Sequence, residues 1–135
     1  MVENIEILKS VKFDYGIIEL RSDDILTYLP NKDVKSFTIP QLKLAIDIFL
    51  DITNGNPKLY FCDISHFTDS TSAETKTYMK STLHLFAKAF AVTEKSAFIA
   101  YLAHIFLYLY KPEVPVKLFK TKLEAITWMK SLEIK

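Results

Sequence analysis

The sequence predicts a single α/β domain of 135 residues, in which helices pack on a mostly parallel sheet with a β-hairpin at one edge. Short apolar runs typical of buried strands alternate with longer segments of helical periodicity, a pattern that favours parallel strands joined by right-handed crossovers. Three helical segments begin with the Ser/Thr-x-x-Glu/Gln spacing of a capping box. The predicted order is β-β-α-β-α-β-α-β-α, and no linker or repeat divides the chain.

Two strands near the start form the predicted hairpin. Gly16–Arg21 and Ile25–Leu29 have the apolar pattern of strands, and the Ser-Asp-Asp at 22–24 between them supplies turn-forming side chains. Residues 1–10 alternate weakly in hydropathy and are expected to form an extra edge strand or an arm.

The first helix is predicted to begin after Thr38, which has capping-box spacing to Gln41, with Pro40 near the first helical position. Apolar residues then recur at helical spacing along one face, as expected of a helix packed on a sheet. The Asn-Gly-Asn-Pro at 54–57 is predicted to end this helix.

The next segment joins a buried strand to a loop rich in hydroxyl groups. Leu59–Cys62 is a short apolar run that fits a strand covered on both faces, and Asp63 ends it. Serine and threonine crowd the loop up to Thr71, whose spacing to Glu74 is that of a capping box. The second helix is therefore predicted to begin just after Thr71, at the carboxyl end of a central strand, where open α/β sheets usually bind ligands.

The last third of the sequence is predicted to add two strands and two helices. The strands are Ala89–Thr93 and Val114–Phe119, and 97–110 forms a helix that is apolar or aromatic at all positions but one. That run is shorter than the roughly 20 residues needed to cross a bilayer, so no stable membrane insertion is expected. Thr121 and its capping-box partner Glu124 open the last helix.

Charge and composition argue against several classes of function. Lysine and arginine total 17 against 16 aspartate and glutamate, so there is no electrostatic case for nucleic acid binding. The only glycines, Gly16 and Gly55, cannot build a phosphate-binding loop or a dinucleotide fingerprint, and no cofactor is expected. A lone cysteine, Cys62, cannot form an internal disulfide, and the start of the sequence lacks a signal-peptide pattern, so a cytoplasmic location is expected.

The residues that commonly bind metals are scattered. His66, His84 and His104 do not share the i, i+4 spacing of a helical metal pair, and Cys62 has no second ligand at a suitable spacing. No metal site is therefore expected.

An acid, a hydroxyl and an imidazole occur together at Asp63, Ser65 and His66, with Asp69 close behind. A hydrolytic site needs the acid to orient the base and the base to point at the hydroxyl, which neighbours along one loop rarely achieve. We therefore expect that the protein is not an enzyme, with a hydrolase at these residues as a weak alternative.

The segment Asp63-Ile-Ser-His-Phe-Thr-Asp69-Ser70-Thr71 resembles the D-[LI]-S…D-S-[ST] pattern of STAS domains, the fold of the anti-sigma-factor antagonist SpoIIAA. In those domains the loop after the third strand carries a phosphorylated serine or threonine. The resemblance implies a regulatory or ligand-binding loop. The uncharacterised SpoIIAA-like relatives of this fold often have an arginine in the second helix after the loop, and Lys76 lies near that place here. The implied loop residues are Asp63, Ser65, His66, Asp69, Ser70, Thr71 and Lys76.

Longer stretches resemble a group of uncharacterised bacterial SpoIIAA-like proteins. The most specific are Lys111-Pro-Glu-Val-Pro-Val-Lys-Leu-Phe119 and Glu124-Ala-Ile-Thr-Trp128. This resemblance implies one SpoIIAA-like, or STAS-like, domain over residues 1–135, and it supplies no catalytic residues.

Two functions follow as hypotheses. The first is a non-enzymatic cytoplasmic regulatory or protein-interaction domain that resembles anti-sigma-factor antagonists and is switched at Ser70 or Thr71. The alternative is a carrier or sensor of a small apolar ligand or lipid, because STAS-like folds are related in shape to the CRAL-TRIO lipid-binding domains.

The helix predicted at 97–110 is apolar nearly all round, whereas a helix that lies on a sheet needs only one apolar stripe. The apolar residues left on its other sides are Ile99, Phe106 and Tyr110. We predict that they form, with His104 nearby, either a homodimer interface or the wall of an apolar cavity. The dimer is preferred because two-fold pairs are the commonest oligomers.

Overall fold

A computed structural model describes residues 4–97, 99–101, 103–104 and 113–132. The strands in these ranges are β1 (Ile7–Phe13), β2 (Gly16–Arg21), β3 (Ile25–Pro30), β4 (Lys58–Asp63), β5 (Ala87–Thr93) and β6 (Val116–Phe119). The helices are α1 (Ile39–Ile52), α2 (Ala73–Thr82) with a 3₁₀ turn after it (Leu83–Leu85), α3 (described at 97, 99–101 and 103–104, all helical) and α4 (Lys122–Ser131).

The strands of this part of the chain form one sheet in the order β1-β2-β3-β4-β5-β6. β1 pairs with β2 and β2 with β3 in antiparallel fashion, whereas β3–β4, β4–β5 and β5–β6 are parallel pairs. The predicted α/β fold, with a mostly parallel sheet and an antiparallel hairpin at one edge, is confirmed. The extra edge strand expected within residues 1–10 lies further along the chain, at Ile7–Phe13.

Gly16 is required by the close approach of β3 to the start of β2. A Cβ atom at this position would overlap the carbonyl oxygen of Leu29 and would lie 2.9 Å from the Cα of Pro30. No side chain fits in that space, so glycine allows the first residue of β2 to pair with Pro30, the last residue of β3.

Helices cover both faces of the sheet, but unequally. α1, α2 and the described residues of α3 lie on one face, which we call the three-helix face. The core there includes residues from α1 and from β2 to β5, among them Ile18, Tyr28, Phe49, Tyr60 and Phe90. Of the helices within the described ranges, α4 packs on the opposite face, which we call the α4 face. Its buried cluster consists of Ile25, Phe61, Ala91, Ala125 and Met129.

Thr38 caps α1 as predicted, since its hydroxyl oxygen accepts the Gln41 N–H at 3.4 Å. The side chain of Gln41 does not complete a capping box. It is 1% exposed, accepts a hydrogen bond from the Tyr28 hydroxyl and donates another to the Ser36 carbonyl. Gln41 therefore joins α1 to the sheet inside the core.

The prediction that Thr71 caps α2 is wrong by one residue. The cap is Ser72, whose hydroxyl oxygen accepts the Thr75 N–H at 3.2 Å, so the helix begins at Ala73. Only Thr71 has the glutamate partner of a capping box, but the Ser72 hydroxyl also donates to the hydroxyl of Thr75, which is 5% exposed, so these two side chains bind each other at the helix start.

Other predicted boundaries shift by about two residues, the usual uncertainty at element ends. The strand predicted at Ala89–Thr93 begins earlier, at Ala87, and that predicted at Val114–Phe119 begins later, at Val116. The cap of α4 is as predicted, because the Thr121 hydroxyl oxygen accepts the Glu124 N–H at 3.2 Å.

Candidate functional site

Asp63 ends β4 and is held by the residues around it. One of its carboxylate oxygens accepts the Ser65 N–H at 3.0 Å and the Thr93 hydroxyl at 2.8 Å. Burial acts to raise the pKa of Asp63, but these hydrogen bonds, one from the Ser65 hydroxyl and the nearby His66 outweigh it, so the pKa lies below its usual range. Asp63 therefore joins the ends of β4 and β5 as a charged carboxylate.

His66 and Ser65 are not arranged for hydrolysis. The Nε2 of His66 lies 2.9 Å from the Asn31 carbonyl oxygen, an acceptor, so this nitrogen donates. The Ser65 hydroxyl donates a hydrogen bond to the Asp63 carboxylate. Within the described residues no hydrogen bond joins Ser65 to His66, and the geometry gives a nucleophile no base.

Glu94, which the sequence analysis passed over, follows β5 at the same edge of the sheet. It is 4% exposed, and its Oε1 accepts the N–H groups of Lys95 and Ser96 at 2.8 and 2.9 Å. Its Oε2 has no hydrogen-bond partner among the described residues. Burial raises the pKa of Glu94, and the charge of Asp63 adds to that rise. The signal in the sequence was a carboxylate placed directly after a buried strand.

The loop between β4 and α2 is fixed to the segment that precedes α1. The rings of Phe67 and Phe37 meet edge to face with centroids 5.1 Å apart, and both are buried. The N–H groups of Thr68 and Asp69 donate to the carbonyl oxygen of Lys35 at 3.2 and 3.1 Å. These anchors hold the following residues, Asp69 to Thr71, beside the three-helix face.

A cavity of about 120 Å³ lies on the three-helix face, between α2, α3 and the sheet. The apolar walls come from three sources. Met79, Leu83, Ile99 and Ala103 belong to the α2 region and α3. Phe90, Val92, Val116 and Leu118 belong to β5 and β6. Phe37, Ile64 and Phe67 belong to the loops.

The polar residues that line the cavity form what we call the polar rim. They are Asp69, Ser70, Thr71, Lys76 and Lys80. Asp69 and Ser70 are exposed, and the other three are half-buried. The rim thus brings together four of the loop residues that the sequence indicated, whereas Asp63, Ser65 and His66 are not among the lining residues. Lys80, one helical turn after Lys76, was not among the loop residues that the sequence indicated, because its spacing on the helix was interpreted as a solvated face.

Two of the four predicted interface residues lie within the described part of the chain. Ile99 is half-buried and lines the cavity, and His104 is exposed. Phe106 and Tyr110 lie outside the described residues. The cavity is the second of the two arrangements proposed for this helix, and the homodimer stays a prediction.

Two kinds of feature are absent from the described ranges. No group of three or more His, Cys, Asp or Glu side chains is placed there to hold a metal ion. Nor does any helix in these ranges combine the length and the apolar character needed to cross a membrane. Cys62 is buried, and burial raises the pKa of its thiol well above the usual range, so the neutral thiol is the stable form.

The sheet order and the helices on its two faces define a SpoIIAA-like fold. The structure is similar to the crystal structure of an uncharacterised DUF3478-family protein with a SpoIIAA-like fold from Shewanella loihica PV-4, with a TM-score of 0.57. The two are 14% identical, and the match covers 96% of this chain and 98% of that one. This chain belongs to the family DUF7793, a domain of unknown function whose family model matches residues 18–133. No curated protein matches it. The predicted SpoIIAA-like fold is thereby confirmed, and the likeness shows the fold alone.

Proposed function

We propose that the protein is a non-enzymatic binding domain that senses or carries a small apolar molecule in the cavity between α2, α3 and the sheet. The observation that carries this proposal is a cavity with apolar walls and polar side chains gathered in one rim, the usual composition of a small-molecule site. The cavity has a volume of about 120 Å³, and its walls are almost entirely apolar. A ligand that fills it therefore gains contacts that the lining side chains otherwise lack.

Methyl NMR spectra recorded during titration with benzene and with 1-hexanol test the proposal. We expect chemical-shift changes concentrated at methyl groups of the cavity wall, such as those of Leu83, Val92 and Ile99. Ala103→Phe places a ring in the cavity and should abolish the response. Ala97→Phe is the matched control, because Ala97 is exposed on the same helix.

Two results of this experiment would contradict the proposal. If neither probe shifts any wall methyl while the protein remains folded, or if Ala97→Phe and Ala103→Phe have equal effects, the binding function is wrong.

A second candidate function is a cytoplasmic regulatory domain that works through protein contacts and is switched by phosphorylation. The observation in its favour is that Ser70 is exposed at the carboxyl end of the sheet, two residues before the cap of α2. A phosphate placed there would meet the positive end of the helix dipole.

Intact-mass analysis of protein purified from its own host tests this switch. We expect a phosphorylated species that disappears in Ser70→Ala or Thr71→Ala and persists in Ser81→Ala, which removes an exposed hydroxyl at the other end of α2. Finding only the unmodified mass under several growth conditions would count against the switch.

The predicted homodimer through 97–110 is a separate part of this second candidate. Sedimentation at high micromolar concentration should show the dimer mass, and His104→Glu, at an exposed position, should weaken the association. A monomer at that concentration would remove the dimer.

A further inference from the structure

The polar rim of the cavity has an uneven charge. Lys76 and Lys80 lie one turn apart on α2, which places them on the same side of the helix. Both are half-buried and line the cavity with Met79, between them in sequence. The one acidic residue among the described lining residues is Asp69, which is exposed and therefore better screened by water. Lys76 and Lys80 also interact with other groups of the protein, and the ammonium group of each has three donors that can bind an anionic group at the rim.

The volume of the cavity limits the apolar part of a ligand. A cavity of about 150 Å³ in another protein holds benzene, and this one has about 120 Å³. A second void of about 20 Å³ adjoins it and shares the side chains of Phe37, Met79, Leu83 and Phe90. Because methionine is unbranched and adapts its shape readily, movement of Met79 would join the two spaces.

We propose that the ligand is a small amphipathic anion: an apolar body of about six carbons in the cavity and one carboxylate or phosphate group at the rim, beside Lys76 and Lys80. This inference rests on the proposed function and specifies its ligand class. Ser70 and Thr71 also line the cavity, and their hydroxyl groups can donate hydrogen bonds to an anionic head that lies at the rim. The charged head stays at the partly solvated rim, so the cost of burying an ion is largely avoided.

Calorimetric titration with matched probes tests the charge preference. Hexanoate, 1-hexanol and hexylamine share one apolar chain and differ in the charge of the head. We expect hexanoate to bind about tenfold more tightly than 1-hexanol, the scale of one charged hydrogen bond, and hexylamine to bind most weakly. Added salt should reduce the differences in affinity among the three probes, because screening weakens charge interactions at a partly exposed site. Hexyl phosphate, titrated in parallel, shows which anionic head binds better.

Variants of the two lysines test whether Lys76 and Lys80 cause the preference for an anionic head. Lys76→Met and Lys80→Met should each lower hexanoate affinity about tenfold and leave 1-hexanol affinity unchanged. Lys43→Met is the matched control, because Lys43 is exposed on α1 and does not line the cavity. Thermal unfolding of each variant separates loss of binding from loss of fold, since Lys76 and Lys80 also interact with other groups of the protein.

The outcomes distinguish this inference from the proposed function. If all three probes bind equally well and the lysine variants change nothing, the anion preference is wrong while the binding cavity stands. If no probe binds the folded protein, both are wrong.

Discussion

On the α4 face, small and large side chains pack against one another, and Phe61, Ala91, Ala125 and Met129 are each at most 1% exposed. On the three-helix face the buried cluster is much larger and contains most of the aromatic core, yet it leaves a cavity of about 120 Å³ beside α2 and α3. Close packing stabilises a fold, whereas a cavity lowers its stability and offers a place to bind. We therefore assign structural support of the domain mainly to the α4 face and the proposed binding function to the three-helix face.

Ionic contacts strengthen the α4 face as well. Asp23, in the turn between β2 and β3, forms salt bridges with Arg21 at 2.6 Å and with Lys130 near the end of α4 at 3.1 Å. The side chains of Arg21 and Asp23 are only 11% and 9% exposed, so water screens this cluster weakly. The far end of α4 is thus tied to the hairpin.

The largest expected effect comes from making the same substitution on each face. Met129→Ala should lower the free energy of unfolding by about 3 kcal/mol, because a fully buried side chain is lost from a close-packed cluster. Met79→Ala should cost only about 1 kcal/mol, since Met79 is half-buried beside an existing cavity. Denaturant unfolding of both variants measures the difference. Equal costs would mean that the two faces are packed alike.

Sequence reasoning identified elements whose signals are local. The hairpin strands, the apolar face of α1 and the caps Thr38 and Thr121 each depend on residues close together in the chain. The cap of α2 was misplaced because the capping-box spacing to Glu74 favours Thr71, whereas in the structure the Ser72 hydroxyl binds the buried Thr75.

The candidate site was predicted only in part, for a physical reason. The resemblance led to Asp69, Ser70, Thr71 and Lys76, which lie together in the sequence. The cavity walls come from α2, α3, β5, β6 and three loop residues, and a gap between such elements depends on how their side chains fit in space. The periodicity of apolar residues along the sequence therefore gives no sign of the cavity.

The next effect concerns two neighbouring aspartates. Asp23→Asn should cost about 2 kcal/mol, because it leaves the poorly exposed Arg21 without its ionic partner. Asp24→Asn should cost less than about 0.5 kcal/mol, since the side chain of Asp24 is 53% exposed where it meets Lys58. Asparagine also tolerates the positive φ of 69° at this position. Urea unfolding at neutral pH compares them, and similar costs would show that the Arg21–Asp23–Lys130 cluster adds little to the α4 face.

A smaller effect compares residues at the start of α2. Ser72→Ala should cost about 1 kcal/mol, because it removes the side-chain acceptor for the Thr75 N–H. Thr71→Ala and Ser70→Ala should scarcely change stability, and their effect should appear in ligand affinity because both residues line the cavity. Thermal unfolding and hexanoate titration of the three variants separate the two roles. A stability loss in Thr71→Ala larger than that in Ser72→Ala would restore Thr71 as the cap.

The smallest effect concerns Asp63 and Glu94, which end the adjacent strands β4 and β5 and have pKa shifts of opposite sign. The pKa of Asp63 is lowered, so Asp63 stabilises the fold above its unfolded pKa, and this contribution is lost as the pH falls through the folded value. The pKa of Glu94 is raised, mainly by burial, so its contribution is complete below its unfolded pKa and is lost as the pH rises through the folded value. His66 lowers the pKa of both carboxylates. Because the pKa shifts of Asp63 and Glu94 have opposite signs, their effects on the pH dependence of stability partly cancel in the wild type.

Glu94→Gln should therefore make the protein more stable than the wild type at neutral pH, and the difference should vanish in acid where Glu94 is protonated. Asp63→Asn should be less stable at neutral pH and should also bring the pKa of Glu94 closer to its ordinary value, because the Asp63 charge contributes to the rise. Melting temperatures measured across the acid range, together with carboxyl NMR titration of Glu94, check both statements. A Glu94 that titrates at or below the ordinary value of 4.5 in the wild type would show that the unpartnered Oε2 is better solvated than its burial indicates.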